Sequence, residues 1–410
     1  MHVCPLDARN CGRGNLRQAL AGFAREARKI SSMKSLFRVI SHYIRHTDRW
    51  LWLLCLGLSA FSVVLLCGIH FYGSPVNAAS VGLRTIAVQA GAAVGGAACA
   101  VFLSTFDYKT LGKLWKLHVP AAYGLVLLTF VIGVGTPERP EDRSWLRMPG
   151  GMTLQPTELL KISFILAFAY HLYILREQIN RPQNVLALCL HGAAPVLLVH
   201  FQGDDGTALA IAIIFIFMIF AAGVNWRYIL AAIAAVSAAA PLVWMHIMND
   251  DQRGRILALF MPDAALGYQQ DQARLAIGSG LVWGKGIFAD GHVYVPIISS
   301  DFMFSFIAES LGFVGSLATI AAIIALCCKL LHDARLAEDT LGRQICIGVF
   351  AMIAGQSIVN IGMNLTVLPV IGITLPFLSY GGSSVLASYL GIGIALSVYM
   401  HSTKNLFSGN

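Results

Sequence analysis

The 410 residues are 57% hydrophobic and 12% charged, with a mean hydropathy of +0.68. A soluble domain is near a quarter charged and a disordered chain is poor in apolar residues, so both an ordinary cytosolic enzyme and disorder are excluded. The net charge of +8 would suggest nucleic acid in a soluble protein. Here apolar runs long enough to cross a bilayer as helices recur along the chain, which points to an all-α polytopic membrane protein with no nucleic-acid partner.

In chain order, residues 1–49 form a basic segment ahead of the first apolar run, which begins too late for a cleavable signal. Leu20, Phe23, Ala27, Ile30, Met33, Phe37, Ile40 and Ile44 recur at steps of three and four. That spacing predicts an amphipathic helix on an anionic leaflet; the alternative is that translation starts at Met33. Ten spans follow at roughly 50–70, 84–103, 114–134, 157–175, 184–200, 206–223, 228–247, 301–330, 344–366 and 376–399. Residues 401–410 are a short tail. No segment alternates apolar and polar as a spanning β-barrel requires.

Orientation follows from Lys and Arg, which concentrate on the cytoplasmic side. Placing the N-terminus in the cytoplasm puts most of the 29 basic residues inside, and ten spans return the C-terminus to the same side. Two outward loops are then long, at about 135–156 and, between helices 7 and 8, at about 248–300. A pure transporter has short loops and a midplane site; here the polar residues gather at the outer face.

Intramembrane ionisable groups are costly and point to function by default. Glu158 and Lys161 stand three apart on one helix face, where a mutual ion pair is the favoured reading. Glu309 has no evident local partner; it either lines a polar cavity or bonds another helix. Asp301 stands where the long loop enters an apolar helix. It is either a plain N-cap, favoured by the helix dipole, or a general base at the water–lipid boundary.

Arg253, Arg255, Arg274 and Lys285 lie in the same loop, with Arg139, Arg143 and Arg147 in the other. They would either bind a phosphate or diphosphate headgroup or pair with Asp250, Asp251, Asp263, Asp271 and Asp290. The string Gly278-Ser279-Gly280-Leu281-Val282-Trp283-Gly284-Lys285-Gly286 fails the Walker pattern. It suits a re-entrant backbone that bends and packs closely. The twelve His residues show no HExxH motif, and the nine Cys form no CxxC pair and read as free thiols.

These motifs fall in a familiar order. Arg143-Ser144-Trp145-Leu146, Gln155-Pro156-Thr157-Glu158-Leu159-Leu160-Lys161 and Gln202-Gly203-Asp204-Asp205-Gly206-Thr207 come first. Next are Asp251-Gln252-Arg253-Gly254-Arg255-Ile256, Pro262-Asp263, Tyr268-Gln269 and the glycine string. Asn360-Ile361-Gly362-Met363, Leu368-Pro369 and Pro376-Phe377-Leu378-Ser379-Tyr380-Gly381-Gly382-Ser383-Ser384 close the series. Over about 50–400 the chain resembles the SEDS family, whose members include RodA, FtsW and SpoVE.

The resemblance implies a ten-helix peptidoglycan glycosyltransferase that polymerises lipid II at the outer face of the bacterial cytoplasmic membrane, for cell shape or division. A class B penicillin-binding protein is the implied transpeptidase partner. The family's PExHTDF segment aligns with Pro296 to Phe302 and maps the catalytic carboxylate onto Asp301. Ile297, Ser299 and Ser300 stand where that pattern has Glu, His and Thr, and Gly203 and Asp251 replace a Pro and a Tyr.

Candidate lipid II contacts are Arg143, Trp145, Gln155, Glu158, Lys161, Asp204, Arg255, Gln269, Ser279, Lys285, Glu309, Ser379, Tyr380 and Ser383. A diphosphate leaving group needs charge neutralisation more than a proton. Either outer-loop cations or a divalent ion, Mg or Mn, would provide it. The other readings of the chain are a lipid II flippase, working through midplane groups such as Glu158, Lys161 and Glu309, and a weakly active scaffold for the penicillin-binding protein.

Overall fold

The computed structural model describes residues 41, 43–135, 142–148, 153–260 and 267–406. The chain divides into two compact units, Met1–Arg49 and Trp50–Asn410. The amphipathic pattern over 20–40, Arg139, Pro262 and Asp263 lie outside the described residues.

Among the described residues nine helices are long and apolar enough to cross a membrane. They are α1 (Arg49–Tyr72), α3 (Leu83–Ser104), α5 (Trp115–Ile132), α6 (Pro156–Leu175), α7 (Pro182–Phe201), α9 (Trp226–Leu242, continued by a π turn), α12 (Met303–Leu336), α13 (Thr340–Asn364) and α14 (Gly382–Leu406). The 17-residue α8 (Asp205–Ala221) is apolar and slightly shorter, and completes the expected ten. Short helices α2 (Pro75–Ser80) and α4 (Tyr108–Lys113) join spans, and α10 (Asp250–Leu257) and α11 (Tyr268–Ser279) lie in the long loop. The all-α polytopic architecture read from composition is the one the chain adopts.

The bundle is built on α6, α13 and α14, whose apolar windows are 67%, 72% and 72% buried. Lipid is as apolar as Leu, so close helix approach depends on small side chains. A Cβ at Gly96 would lie 2.8 Å from the Tyr389 ring, and one at Gly393 would lie 2.8 Å from the Ala100 Cα. These two glycines bring α3 and α14 into contact. Tyr389 also donates through its hydroxyl to Ser59 of α1 at 2.9 Å. At the other extreme, no described residue of α9 is buried.

Three local features depart from the sequence reading. The last span begins at Gly382, because Pro376–Gly381 is a loop that folds against Ser299 and Ser300. The loop at 135–156 contains a short antiparallel pair, β1 (Leu146–Arg147) and β2 (Thr153–Leu154), with Val134 bridged to Trp145. Finally, α12 is broken at Gly312, which has φ +66° and ψ −163°.

A break inside a membrane helix frees main-chain groups that lipid cannot satisfy. The glycine-rich strand satisfies them here. Lys285 and Gly286 donate their N–H groups to the carbonyls of Glu309 (3.0 Å) and Ser310 (2.8 Å). On the other side, Phe313 and Val314 donate to the carbonyls of Leu281 (2.8 Å) and Val282 (3.2 Å). Such contact leaves no room for side chains: a Cβ at Gly280 would fall 2.0 Å from the Ala308 carbonyl oxygen, and one at Gly284 would fall 2.3 Å from that of Ser310. The close packing expected of the glycine string is therefore what its glycines do.

Candidate active site

Asp301 ends a tight turn. The Ile297 carbonyl accepts from the N–H groups of Ser300 (3.2 Å), Asp301 (3.2 Å) and Phe302 (3.5 Å). Ile297 itself has φ +53°, an outlier for a β-branched residue of the kind that persists only where surroundings over-determine it. The expected N-cap role does not hold in its simple form. Phe302 occupies the cap position of α12 without a side-chain cap, so Asp301 stands one residue outside the helix.

The amide of Ser305, in the first turn, donates to the Phe302 carbonyl and to Asn364 Oδ1 of α13, each at 3.0 Å. The same Asn364 donates through Nδ2 to the Asp301 carbonyl at 3.0 Å, and Asn360 donates to that carbonyl at 2.9 Å and to the Ile373 carbonyl at 2.7 Å. Both asparagines are fully buried. The half-buried Asp301 carboxylate faces Gly372, whose Cβ position lies 3.7 Å from Oδ2.

The Pro376–Gly381 loop holds the other side of the turn. Ser379 Oγ donates to the Ser300 carbonyl and accepts from Leu375 N–H at 2.9 Å, and Tyr380 N–H donates to the Ser299 carbonyl at 2.7 Å. Burial raises the Tyr380 phenol above its ordinary pKa. Gln89 of α3, which nothing in the sequence pattern singled out, locks the loop through the Ser379 carbonyl (3.0 Å) and Gly381 N–H (3.2 Å).

A second polar group adjoins it. Ser383 accepts from Gln155 N–H at 3.0 Å, and Gln155 Nε2 donates to Asp204 Oδ2 at 2.6 Å. Asp204 also accepts from Thr157 Oγ1 (3.2 Å) and caps α8 through Thr207 N–H (3.0 Å). The loop of residues 379–384 thus joins Ser379, Tyr380 and Ser383 of the candidate set to Asp301 on one side and to Gln155 and Asp204 on the other.

Glu158 and Lys161 form the expected ion pair, 2.9 Å apart with side chains 6% and 1% exposed. With its amide turned to suit its neighbours, Gln356 accepts from Lys161 Nζ at 2.8 Å. Glu309 has partners after all, and they come from a distant part of the chain. Its Oε1 accepts from Lys285 Nζ (2.6 Å), Val293 N–H (2.8 Å) and Ser279 Oγ (3.4 Å), and Oε2 lies 3.3 Å from His292 Nδ1. The expected bond to another helix is met only by Ser279 at the end of α11; the other partners of Glu309 come from the loop between α11 and α12.

Other candidates stand apart from Asp301. Arg143 donates to the Phe130 carbonyl at 3.3 Å, and Trp145 exchanges main-chain bonds with Val134. Arg255 is half-buried on α10. The Gln269 side chain makes no hydrogen bond with any described residue, whereas its neighbour Gln270 is buried and donates to the carbonyls of Met363 (3.2 Å) and Leu368 (2.8 Å). Helical periodicity would have misled here, since Gln269 stands four and seven residues before the buried Ala273 and Ala276 and is the nearer of the two to their face. Arg253 takes the pairing alternative, with Asp250 at 3.4 Å and the Trp244 carbonyl at 2.9 Å. Among the described residues, no three His, Cys, Asp or Glu side chains converge to hold a metal ion.

The model of the cell cycle protein family of FtsW, RodA and SpoVE matches residues 48–404. The peptidoglycan glycosyltransferase MrdB of Escherichia coli K12 is 35% identical over 289 residues, 68% of this chain and 76% of its own. A probable peptidoglycan glycosyltransferase FtsW of Geobacter metallireducens is 32% identical over 88% of this chain and 97% of its own. A chain solved in a peptidoglycan synthase complex that coordinates polymerization and crosslinking superposes with a TM-score of 0.74 at 28% identity, over 87% of this chain and 98% of its own. The rod shape determining protein RodA of Thermus thermophilus superposes with a TM-score of 0.63 at 27% identity, over 86% and 96%.

Proposed function

Since this chain belongs to the FtsW, RodA and SpoVE family of cell cycle proteins and is a multi-pass membrane peptidoglycan glycosyltransferase, we propose that Asp301 is the general base of its reaction and lipid II its substrate. The acceptor's GlcNAc 4-hydroxyl oxygen attacks the anomeric carbon of the donor's MurNAc. Its proton passes to the Asp301 carboxylate as the new C–O bond forms. The anomeric C–O bond to the diphosphate breaks, its electron pair leaving on the polyprenyl diphosphate. Attack from the opposite face turns the α-linkage into a β-1,4 bond, so the transfer inverts.

The observation that carries this reading is the placement of Asp301. Its main-chain carbonyl is held by two buried amides while its carboxylate stays half-exposed and outside the helix cap. A general base needs that combination of a fixed backbone and a reachable oxygen. The departures from the family pattern fit it as well. Ile297, Ser299 and Ser300 hold the turn through their main-chain carbonyls, so changing their side chains leaves the cradle of Asp301 in place.

The site would stand at the outer face of the cytoplasmic membrane, where a class B penicillin-binding protein cross-links the strands. The flippase alternative draws no support from Glu158 and Lys161, which spend their charges on each other inside the bundle. The test is strand formation from labelled lipid II by the purified protein with a class B partner. Asp301→Asn should fold as wild type and make no strands. An Asp301→Asn protein that polymerises at the wild-type rate overturns the assignment.

A further inference from the structure

The proposed transfer leaves a diphosphate carrying new negative charge, and the long outer loop offers Arg253, Arg255, Arg274 and Lys285 to meet it. The fold has committed the others. Arg253 is held by Asp250 and the Trp244 carbonyl, Lys285 by the buried Glu309, and Arg255 has partners of its own. Arg274 is exposed and makes no hydrogen bond or ion pair with any described residue.

Its position is nonetheless built. Ala273 and Ala276 on either side are fully buried, and Gln270, one turn earlier, is tied to the carbonyls of Met363 and Leu368. This fixes α11 against the end of α13, and Arg274 there lines a pocket with Ile277, Asn364, Leu365 and Thr366. Asn364 is the residue that donates to the Asp301 carbonyl, so the pocket lies one side chain away from the proposed base.

The end of α13 carries a second sign. Val367 N–H donates to the Gly362 carbonyl (2.9 Å) and Thr366 N–H to the Met363 carbonyl (3.2 Å), the paired bonds of a Schellman cap. The left-handed position of that cap belongs to Gly, yet here it holds Thr366 with φ +59°. A β-branched residue pays strain there, and strain retained beside a reactive group points to a use for the side chain. The Thr366 hydroxyl, like Arg274, makes no hydrogen bond with a described residue.

We propose that Arg274, with Thr366, forms the site that holds the polyprenyl diphosphate of the donor and receives its negative charge as the anomeric C–O bond breaks. This rests on the transfer reaction proposed above. Arg supplies a planar fork that matches two phosphate oxygens at once, and the Thr366 hydroxyl adds a donor. Arg274 therefore acts on the leaving group, whereas Asp301 acts on the nucleophile.

The experiment uses geranylgeranyl diphosphate as the probe, with geranylgeranyl monophosphate as control, titrated onto the purified full chain in detergent. Wild type, Arg274→Ala, Arg274→Lys and Asp301→Asn are compared, each also assayed for strand formation. Arg274→Ala should bind the diphosphate about tenfold more weakly at an unchanged melting temperature. Arg274→Lys should recover part of the loss, and Asp301→Asn should bind as wild type. Strand formation by Arg274→Ala should show a raised KM, because the donor's diphosphate is already anionic when it binds, and a lowered kcat, because further charge develops in the transition state.

Equal diphosphate binding by wild type and Arg274→Ala overturns the site. So does an Arg274→Ala protein that loses only stability, because a plain counter-charge to the end of α13 would behave that way. Loss of strands in Asp301→Asn together with unchanged binding in Arg274→Ala would sink the anion site and spare the base. Strands from Asp301→Asn with weakened binding in Arg274→Ala would do the reverse.

Discussion

Asn364 serves two masters: its Nδ2 donates to the Asp301 carbonyl and its Oδ1 accepts from Ser305 N–H, each at 3.0 Å. One side chain of α13 thereby caps α12 and fixes the residue that precedes it. Replacing Asn364 with Ala leaves the Ser305 amide only its bond to the Phe302 carbonyl and weakens the hold on Asp301. Losing a buried hydrogen bond costs about 0.5–1.5 kcal/mol, so Asn364→Ala should lower the melting temperature in detergent. Strand formation should fall further than the lost stability accounts for. A variant with a wild-type rate per folded molecule would sever the link between the two helices and the chemistry.

Glu309 is fully buried and depends on Lys285. Removing one partner of a buried pair leaves an uncompensated charge and costs about 3–5 kcal/mol. Lys285→Met should therefore destabilise strongly, and Glu309→Gln less, because Lys285 can still reach water. Combining them should recover part of the first loss, with a coupling of about 1 kcal/mol or more in a double-mutant cycle. Additive unfolding energies would contradict the pairing.

At the break in α12, Gly312→Ala adds a Cβ 2.4 Å from Gly284 N and keeps it at φ +66°. Gly284 N cannot yield, because it donates to the Gly280 carbonyl at 2.8 Å. The cost should exceed the roughly 1–3 kcal/mol of a strained φ alone. The readout is the yield of monodisperse protein after membrane extraction. Gly57→Ala, whose Cβ would meet nothing within 4 Å, is the matched control and should extract as wild type.

Alkaline stability should depend on Tyr108. Burial first, and then the Asp339 carboxylate, raises its phenol above the ordinary value of about 10. Above that value the unfolded chain has lost the phenol proton and the folded chain has kept it. The folded state then binds more protons, so stability falls as pH rises. Lys109, raised by its hydrogen bond to Glu338, acts in the same direction. Tyr108→Phe should flatten the decline above pH ~10 in a melting series and leave the curve near neutrality unchanged in slope.

The spans were legible in the sequence because burying an apolar helix in lipid leaves a long and simple signature. Asp301 drew notice for a related reason, as a lone carboxylate at the mouth of an apolar helix, and the resemblance to the family then set it above a plain N-cap. Its neighbours were harder to find. Asn360, Asn364 and Gln89 act on main-chain carbonyls and amides far away in sequence, and such bonds impose no spacing. Glu309 looked solitary since its partners come from 279–293, brought near only by the break in α12. The N-cap reading of Asp301 failed by one residue, because the Ile297 turn, and not the helix dipole, decides where α12 begins.

The strand that seals α12 also has a consequence for how the chain is made. Leu281, Val282, Lys285 and Gly286 leave the ribosome before the residues they meet at Glu309, Ser310, Phe313 and Val314. The segment that satisfies the break is therefore synthesised before the interrupted helix that needs it. An inverted order of synthesis, as in a chain permuted so that 303–336 precedes 278–286, would expose four unpaired backbone groups to lipid until the strand arrived.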